Sequence, residues 1–330
     1  MMWLVAAGLL GAMGILLIVS FFCFRFAIRA GRINDYSIWE TADKSIYRDF
    51  HSMISENARW ADQADYEQVS VQSFDGLTLY ARYYEGDSQA DMPYILLFHG
   101  YHSVGRTDFG DVLRFYHQKG YHVLLVDERG HGLSQGKYIG FGVLECRDCL
   151  SWIEYLQARF GQQISIFLEG ASMGATTVLM ACGLSLPANI CGVIADCGFT
   201  SPWEVLRHVL RNQYRLPAFP LLWLIVWWAR LLAGYSLKQA STPEILKHTQ
   251  IPVLFLHGKA DQLVPCEMTL QAYEACAAPK HLCLVENAFH CGSYLLEKER
   301  CQKELEHFLQ YYGKSGAHGK TNKEREKNMK

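Results

Sequence analysis

A serine set between two glycines is the strongest chemical signal in the sequence. Residues 166–181 read IFLEGASMGATTVLMA, in which Gly170, Ser172 and Gly174 form the pattern G-x-S-x-G. The apolar run before this pattern predicts a strand, and the residues after it predict a helix. In a nucleophile elbow the serine lies on a strained strand-to-helix turn, and small flanking residues let the two elements pass closely. This context favours Ser172 as a nucleophile over an ordinary turn residue.

A serine hydroxyl needs a base and an orienting acid before it acts as a nucleophile near neutral pH. In an elbow fold these partners follow the serine in the order Asp or Glu, then His, each after a later strand. Asp261 follows the predicted strand Val253–Leu256, and His290 follows the predicted strand His281–Val285. We therefore predict that His290 takes the proton of Ser172 and that Asp261 holds the imidazole.

The tetrahedral intermediate of acyl transfer also needs hydrogen-bond donors for its oxyanion. The backbone N–H of Met173, the residue after the nucleophile, is one predicted donor. The other comes from the loop FHGYHSVGRTD after the predicted strand Tyr94–Phe98, where we predict the N–H of Tyr101. His99 in the same loop is interpreted as a residue that orders the loop.

Three other groups of residues have the composition of a site but a better structural interpretation. Asp196, after the predicted strand Cys191–Ala195, is the second choice for the triad acid. The segment DERGHGLS contains one aspartate and one histidine, which are too few ligands for a metal, and an ion pair of Arg129 is expected there. Cys146 and Cys149 have C-x-x-C spacing without a second pair, so helix packing is expected. No phosphate-binding G-x-x-x-x-G-K-[ST] pattern occurs, and we predict neither cofactor nor metal.

The elements around these residues alternate between short apolar runs and stretches of helical period, which predicts an α/β domain with buried parallel strands. Asp75-Gly76 marks a hairpin between the first two strands. The predicted strands are Glu67–Gln72, Leu77–Tyr84, Tyr94–Phe98, Val123–Val126, Ile164–Leu168, Cys191–Ala195, Val253–Leu256 and His281–Val285. The predicted helices include Val112–Gln118, Leu144–Phe160 and Thr176–Ser185.

One connection is too long for a plain crossover. Roughly 55 residues separate Ala195 from Val253, and they contain the apolar segment Leu216–Tyr235. Arg230 interrupts this segment before it is long enough to span a bilayer. It is interpreted as a helical cap over the sheet, and contact with the membrane surface is the alternative.

The first residues predict a membrane anchor. Trp3–Phe24 contains no charged residue, and its 22 residues reach about 33 Å as a helix, enough to cross a bilayer core. No lysine or arginine precedes the run, which disfavours a cleaved signal peptide. Arg25, Arg29 and Arg32 follow it, so the positive-inside rule places the remaining chain in the cytoplasm.

Composition agrees with one intracellular domain. The 330 residues are 50% hydrophobic, with 31 basic and 33 acidic residues, so no global charge favours nucleic acid. The 11 cysteines are irregularly spaced, as expected in a reducing compartment. We predict an anchor at 1–32, a connecting helical segment at 33–66, a catalytic domain at 67–312 with its cap insert at about 200–247, and a disordered polar tail at 313–330.

The motifs together resemble the α/β-hydrolase superfamily. They are HGY at 99–101, DERGHGLS at 127–134, GASMG at 170–174, HGKADQLVP at 257–265 and the histidine loop at 287–293. These motifs, together with DCGFTSPWE at 196–204, are similar to those of bacterial membrane-anchored Bem46-like hydrolases, which are related to prolyl-oligopeptidase catalytic domains. The resemblance implies an eight-stranded, mostly parallel sheet, a helical insert after the sixth strand, and Ser172, Asp261 and His290 as the triad.

The predicted function is a membrane-anchored serine hydrolase, a carboxylesterase for hydrophobic acyl esters. A peptidase, a thioesterase or an acyltransferase of the same fold are the alternatives within the enzyme class. A catalytically silent membrane-bound scaffold is the alternative from another class, although all three triad residue types are present. The predicted partners are an acyl ester substrate and the membrane, and no oligomeric state is predicted.

Overall fold

A single mixed sheet organises the protein. The computed structural model describes residues 2–30, 47–87 and 91–313, and its eight strands lie in the order β1-β2-β4-β3-β5-β6-β7-β8. The strands are β1 Glu67–Gln72, β2 Thr78–Tyr84, β3 Tyr94–Phe98, β4 His122–Val126, β5 Ile166–Ala171, β6 Ile190–Asp196, β7 Val253–Gly258 and β8 Lys280–Val285. β2 pairs antiparallel with β1 and β4, and all other neighbours are parallel. The predicted eight-stranded, mostly parallel sheet is confirmed.

Helices cover both faces of this sheet, which explains why the central strands read as continuous apolar runs. Every residue of β3, β4 and β5 is buried, and the apolar side chains form one core cluster on each face. The helices are α1 Met2–Ile28, α2 His51–Gln63, α3 Gly105–Gln118, α4 Glu145–Phe160, α5 Met173–Ala181, α6 Pro202–Asn212, α7 Leu221–Trp228, α8 Thr242–Leu246, α9 Cys266–Ala275, α10 Ser293–Leu296 and α11 Lys298–Gly313.

The predicted elements are present with shifted ends. β5 begins at Ile166 instead of Ile164, because the Ile164 carbonyl accepts a hydrogen bond from the Asn189 side chain at 2.6 Å and not from a neighbouring strand. α5 ends at Ala181 instead of Ser185, because tight backbone turns follow it, such as Gly183 N–H to Met180 O at 3.0 Å. The hairpin at Asp75-Gly76 joins β1 to β2 as expected.

The insert between β6 and β7 is helical, which confirms the predicted cap after the sixth strand. α6 begins after Ser201, whose hydroxyl accepts the Glu204 N–H at 3.2 Å. α7 follows and continues as a wider, π-helical turn over Ala229–Ala233. α8 completes the insert before β7.

The C-terminal end of α1 packs against the main domain, and most of the rest of the helix is exposed. It is the one described helix long and apolar enough to cross a bilayer, and only 6% of its most apolar stretch is buried. Ser20, Phe24 and Ile28 are the buried residues, one per turn along a single face. The Ile28 carbonyl accepts the Ile139 N–H at 2.8 Å, so α1 ends hydrogen-bonded to the main domain.

Part of the predicted organisation lies outside the described residues. The connecting segment predicted at 33–66 is described from residue 47 onwards, where α2 forms most of it. The tail predicted at 313–330 is outside the description except for Gly313, which is the last residue of α11 and not the start of a tail.

Candidate active site

Ser172 occupies a strained turn at the C-terminal edge of the sheet. It joins β5 to α5 with φ 55° and ψ −110°, a backbone conformation that side-chain-bearing residues rarely adopt. A Cβ atom at Gly170 would lie 2.1 Å from the Gly174 carbonyl carbon, and one at Gly174 would lie 1.8 Å from the Phe98 carbonyl oxygen. Only glycine fits at both positions, so the predicted elbow glycines let the strand and the helix approach each other.

The structure brings the three predicted triad side chains into one hydrogen-bonded chain. His290 Nε2 lies 2.9 Å from Ser172 Oγ, and His290 Nδ1 lies 2.7 Å from Asp261 Oδ2. The second oxygen of Asp261 accepts the N–H groups of Leu263 and Val264, both at 2.9 Å. The loop that carries Asp261 therefore fixes one carboxylate oxygen, and the other oxygen orients the imidazole.

Electrostatics in this chain favour the charged pair. Burial alone would raise the pKa of Asp261, but the facing imidazoles of His290 and His257 hold it well below its usual range. Burial alone would lower the pKa of His290, but the carboxylate of Asp261 raises it well above its ordinary value, and Cys197 acts in the same direction. The arrangement stabilises an imidazolium, the species formed when the base takes a proton.

A second histidine contacts the same aspartate, and sequence reasoning missed it. The buried His257 Nε2 lies 3.2 Å from Asp261 Oδ2 and 2.9 Å from the Val264 carbonyl oxygen. Its Nδ1 lies 2.7 Å from the Thr269 hydroxyl oxygen. His257 stands four residues before Asp261 in HGKAD, which is the only signal the sequence offered.

The predicted oxyanion donors flank the serine. A Cβ atom at Gly100 would be 3.4 Å from the Ser172 Cβ, so the loop after β3 runs directly beside the nucleophile. Within the described chain, no hydrogen bond uses the N–H of Tyr101. Met173 opens α5, where the first N–H groups have no partner inside the helix. Both N–H groups are therefore free to bind an oxyanion.

The loop that carries Tyr101 is held by the side chains of Asp108 and His99. Asp108, which sequence reasoning missed, accepts the Gly100 N–H at 2.7 Å and also the Ser103 hydroxyl. His99 accepts the Glu128 N–H at 3.1 Å and makes no hydrogen bond to the triad. His99 thus orders the loop, as interpreted from the sequence.

The remaining sequence candidates have structural surroundings. Asp196 makes no side-chain hydrogen bond to His290, and its main-chain carbonyl accepts the Ser172 N–H at 2.8 Å. Arg129 makes the expected ion pair, buried against Asp148 at 2.6 Å and extended to Asp75 at 3.0 Å. Cys146 and Cys149 are free thiols buried on α4.

Two cysteines next to the imidazole form a group that the sequence did not reveal. Cys197 Sγ and Cys291 Sγ are 3.3 Å apart, although 94 positions separate them in the chain. With His290 they present three ligand atoms within 4.8 Å of one another, which is close enough to share one metal ion. Thiolates and imidazoles are ligands that Zn²⁺ prefers.

Family models and relatives place this chain among proteins similar to hydrolases. The serine aminopeptidase S33 model matches residues 91–225, and the acetyl xylan esterase model matches residues 37–143. The uncharacterized protein YqkD of Bacillus subtilis (strain 168) is 34% identical over 190 residues, which are 58% of this chain and 62% of YqkD. Lysophosphatidylserine lipase ABHD12 of Danio rerio is 29% identical over 212 residues, 61% of this chain and 52% of that protein. The chain thus spans between half and two thirds of these relatives' lengths.

Solved structures share the architecture. The Pyrococcus furiosus esterase Pf2001 superposes with a TM-score of 0.62 at 22% identity and covers 76% of this chain and 94% of its own. The Pyrococcus horikoshii acylaminoacyl peptidase superposes with a TM-score of 0.57 at 17% identity, over 81% of this chain and 44% of its own. The narrower likeness to Bem46-like proteins stays a prediction. The strand order and the solved structures show that this chain has the α/β-hydrolase fold, and the matched models show that it is similar to hydrolases of that superfamily.

Proposed function

We propose that this hydrolase cleaves carboxylic esters with Ser172 as nucleophile, His290 as base and Asp261 as the orienting acid. The observation that carries the proposal is the unbroken hydrogen-bonded chain from Ser172 Oγ through the imidazole to the carboxylate. Its serine lies on an elbow that admits no side chain at either flanking glycine. This strained position points to chemistry, since such backbone strain persists mainly where function requires it.

The reaction follows from the geometry. Ser172 Oγ attacks the acyl carbonyl carbon while His290 Nε2 takes the hydroxyl proton. The N–H groups of Tyr101 and Met173 stabilise the oxyanion that forms. When the intermediate collapses, the alcohol leaves with the proton from His290. A water molecule, activated by the same imidazole, then hydrolyses the acyl-enzyme and regenerates the serine.

An apolar acyl chain is the substrate class that the cap favours. The insert above the sheet is rich in tryptophan and leucine, and α7 buries Leu222 and Ile225 in the same core cluster as Met173. Esterases and a lipase occur among the proteins that this chain resembles. A peptidase is the second candidate, because the matched S33 model describes a serine aminopeptidase.

We also propose that α1 is a retained membrane anchor and not a cleaved signal peptide. Phe24 and Ile28 have 1% and 0% of their surface exposed, because they are packed into the core of the hydrolase domain. Removal of α1 would expose that part of the core to water. The arginines after the span favour a cytoplasmic domain, and protease protection of the domain in intact cells tests this orientation.

A fluorophosphonate probe tests the nucleophile. We expect the detergent-solubilised full chain to be labelled and Ser172→Ala to lose both the label and ester turnover. Ser52→Ala, at an exposed serine on α2, is the matched control and should keep both. Labelling of Ser172→Ala at the wild-type rate would remove the proposed role of this serine. Parallel turnover of 4-nitrophenyl esters and aminoacyl amides then separates the esterase from the peptidase.

A further inference from the structure

The cap presents an apolar face to its surroundings instead of to the protein. Phe219, Trp223, Trp227 and Leu231 recur every fourth residue, and their exposed fractions are 74%, 52%, 49% and 59%. Trp223 and Trp227 lie four residues apart on α7 and therefore on one side of it, while Phe219 lies just before the helix and Leu231 in the π-helical turn after it. The opposite side of α7, with Leu222 and Ile225, is buried in the core. A monomeric soluble protein rarely exposes so contiguous an apolar surface.

This face adjoins α1. Trp228 Nε1 donates a hydrogen bond to Ser20 Oγ at 3.1 Å, and the Trp228 ring meets the Phe21 ring edge-on at 5.1 Å between centroids. Trp227 in turn packs against Trp228 at 4.6 Å. The apolar surface of α1 and that of α7 are therefore neighbours and form one continuous surface.

The position of this contact along α1 determines its depth. Ser20 precedes Arg25, the first charged residue after the span, by five residues, or roughly 7.5 Å of helix. A bilayer core needs about 20 apolar residues, which places Ser20 and Phe21 inside the last part of the 22-residue span Trp3–Phe24. Because α7 packs on these residues, it should lie at a similar depth in the membrane. Interfacial helices are buried to a depth of about 5–10 Å.

Charge around the face matches a lipid headgroup region. Arg211, Arg215 and Arg230 are exposed on the cap, and none of them has an ion-pair partner in the part of the chain described here. Arg25 and Arg29 are exposed at the end of α1. Basic side chains beside an exposed tryptophan-rich face are typical of helices that lie on anionic membranes.

We infer that α7 and the π-helical turn Ala229–Ala233 lie in the same leaflet as the C-terminal end of α1, against anionic lipid. This inference rests on the proposed anchor. It further specifies the proposed function, because the cap then meets its substrate in the membrane. The substrate class is an acyl ester dissolved in the leaflet, which reaches Ser172 beneath the cap without crossing water.

Depth measurements in vesicles test the location. The full chain, carrying Trp227→Cys with a nitroxide label, is reconstituted into phosphatidylcholine vesicles containing phosphatidylglycerol. We expect the label to collide more with oxygen than with a water-soluble nickel chelate, with a collision ratio at least fivefold above that of labelled Glu299→Cys. Glu299 is exposed on α11, which packs on the opposite face of the sheet. Wild type treated with the reagent gives the background of the 11 native cysteines.

Equal collision ratios at the two positions would overturn the inference, and Leu231→Cys repeats the measurement in case Trp227→Cys does not fold. A kinetic arm compares 4-nitrophenyl butyrate in water with 4-nitrophenyl palmitate in the vesicles. For Trp227→Glu with Leu231→Glu, the palmitate-to-butyrate rate ratio should fall at least tenfold. Leu296→Glu, an exposed leucine on α10, should leave the ratio within twofold. An unchanged ratio in the double variant counts against the inference.

The two arms separate the membrane inference from the proposed function. Failure of the wild type to hydrolyse either ester contradicts the esterase, whereas the depth of position 227 is still measured. Turnover of butyrate by a protein whose label at 227 lies in water contradicts the membrane contact alone.

Discussion

The hydroxyl of Tyr101 donates a hydrogen bond to the main-chain carbonyl oxygen of Ala27 over 2.9 Å. The backbone N–H of the same tyrosine is the proposed oxyanion donor, and its ring stacks on Phe141 at 5.0 Å between centroids. The C-terminal end of α1 therefore contacts the residue whose N–H is the proposed oxyanion donor. The side chain of Tyr101 thus links α1 to the candidate active site.

Tyr101→Phe tests this connection. The variant keeps the ring and the backbone N–H but loses one part-buried hydrogen bond, which contributes about 1 kcal/mol to folding stability. We expect kcat to fall severalfold with little change in KM, because a displaced N–H stabilises only the transition state. Steady-state kinetics on a soluble ester measure both constants. An unchanged kcat alongside a lowered Tm would show that the bond serves folding alone.

The pH dependence of turnover reports on His290. Its pKa is raised by Asp261, and a protonated imidazole cannot accept the serine proton, so kcat/KM should rise with pH through a value above the ordinary 6.5. Asp261→Asn removes the carboxylate. It should move that acid limb to lower pH and reduce the plateau by several orders of magnitude. A pH–rate profile from pH 5 to pH 9 checks both effects, and a limb that stays in place in Asp261→Asn contradicts the assignment.

Zinc is expected to inhibit the enzyme through Cys197, Cys291 and His290. Binding would occupy the imidazole that serves as base. The hydrogen bond between the two thiols lowers the pKa of Cys291, but burial and nearby carboxylates raise it to about 11. Metal binding must therefore release thiol protons, and it should strengthen as pH rises. Ester turnover during Zn²⁺ titration, with chelator reversal, gives the inhibition constant.

Cys291→Ala should raise that inhibition constant at least tenfold. Cys301→Ala is the matched control, since Cys301 is a buried thiol on α11 that lies outside this group. Equal zinc sensitivity of wild type and Cys291→Ala would place the inhibitory metal elsewhere.

A buried acid on β5 should make stability depend on pH. Burial raises the pKa of Glu169 to about 8, although the Tyr116 hydroxyl donates to it at 2.5 Å. The unfolded chain ionises near pH 4.5 while the folded chain keeps its proton, so this residue lowers stability progressively between these values. Glu169→Gln should therefore raise Tm by a few degrees at pH 8 and change it little at pH 4.5. A thermal-shift series over pH shows the effect, and a pH-independent difference would contradict it.

The sheet and the three candidate triad residues could be predicted because their signals are local. Each central strand is a short apolar run, and Ser172, Asp261 and His290 each follow a run in the order that the elbow topology requires. The element ends moved by a few residues, since side chains such as Asn189 and the turns after α5 decide them, and these depend on tertiary contacts.

Contacts between distant segments that belong to no motif could not be predicted. Cys197 and Cys291 meet because β6 and the histidine loop end at the same edge of the sheet, a fact that spacing in the sequence does not carry. Asp108 looks like an ordinary helix-start acid, and its bond to the Gly100 N–H depends on how the loop folds back. The packing of α1 against the main domain could not be predicted, because a uniformly apolar helix has no sequence pattern that distinguishes a buried face.

Phe24 and Ile28 have a practical consequence for anyone who wants a water-soluble form of this enzyme. Trimming the chain after residue 30 would remove two side chains that fill the interior, so the product should precipitate or lose order around Tyr138 and Ile139. A better design starts near Ser20 and replaces the outward-facing Phe22 and Phe26 with polar residues. Such a design keeps the inward-facing residues in place and removes only the part of the helix that is exposed.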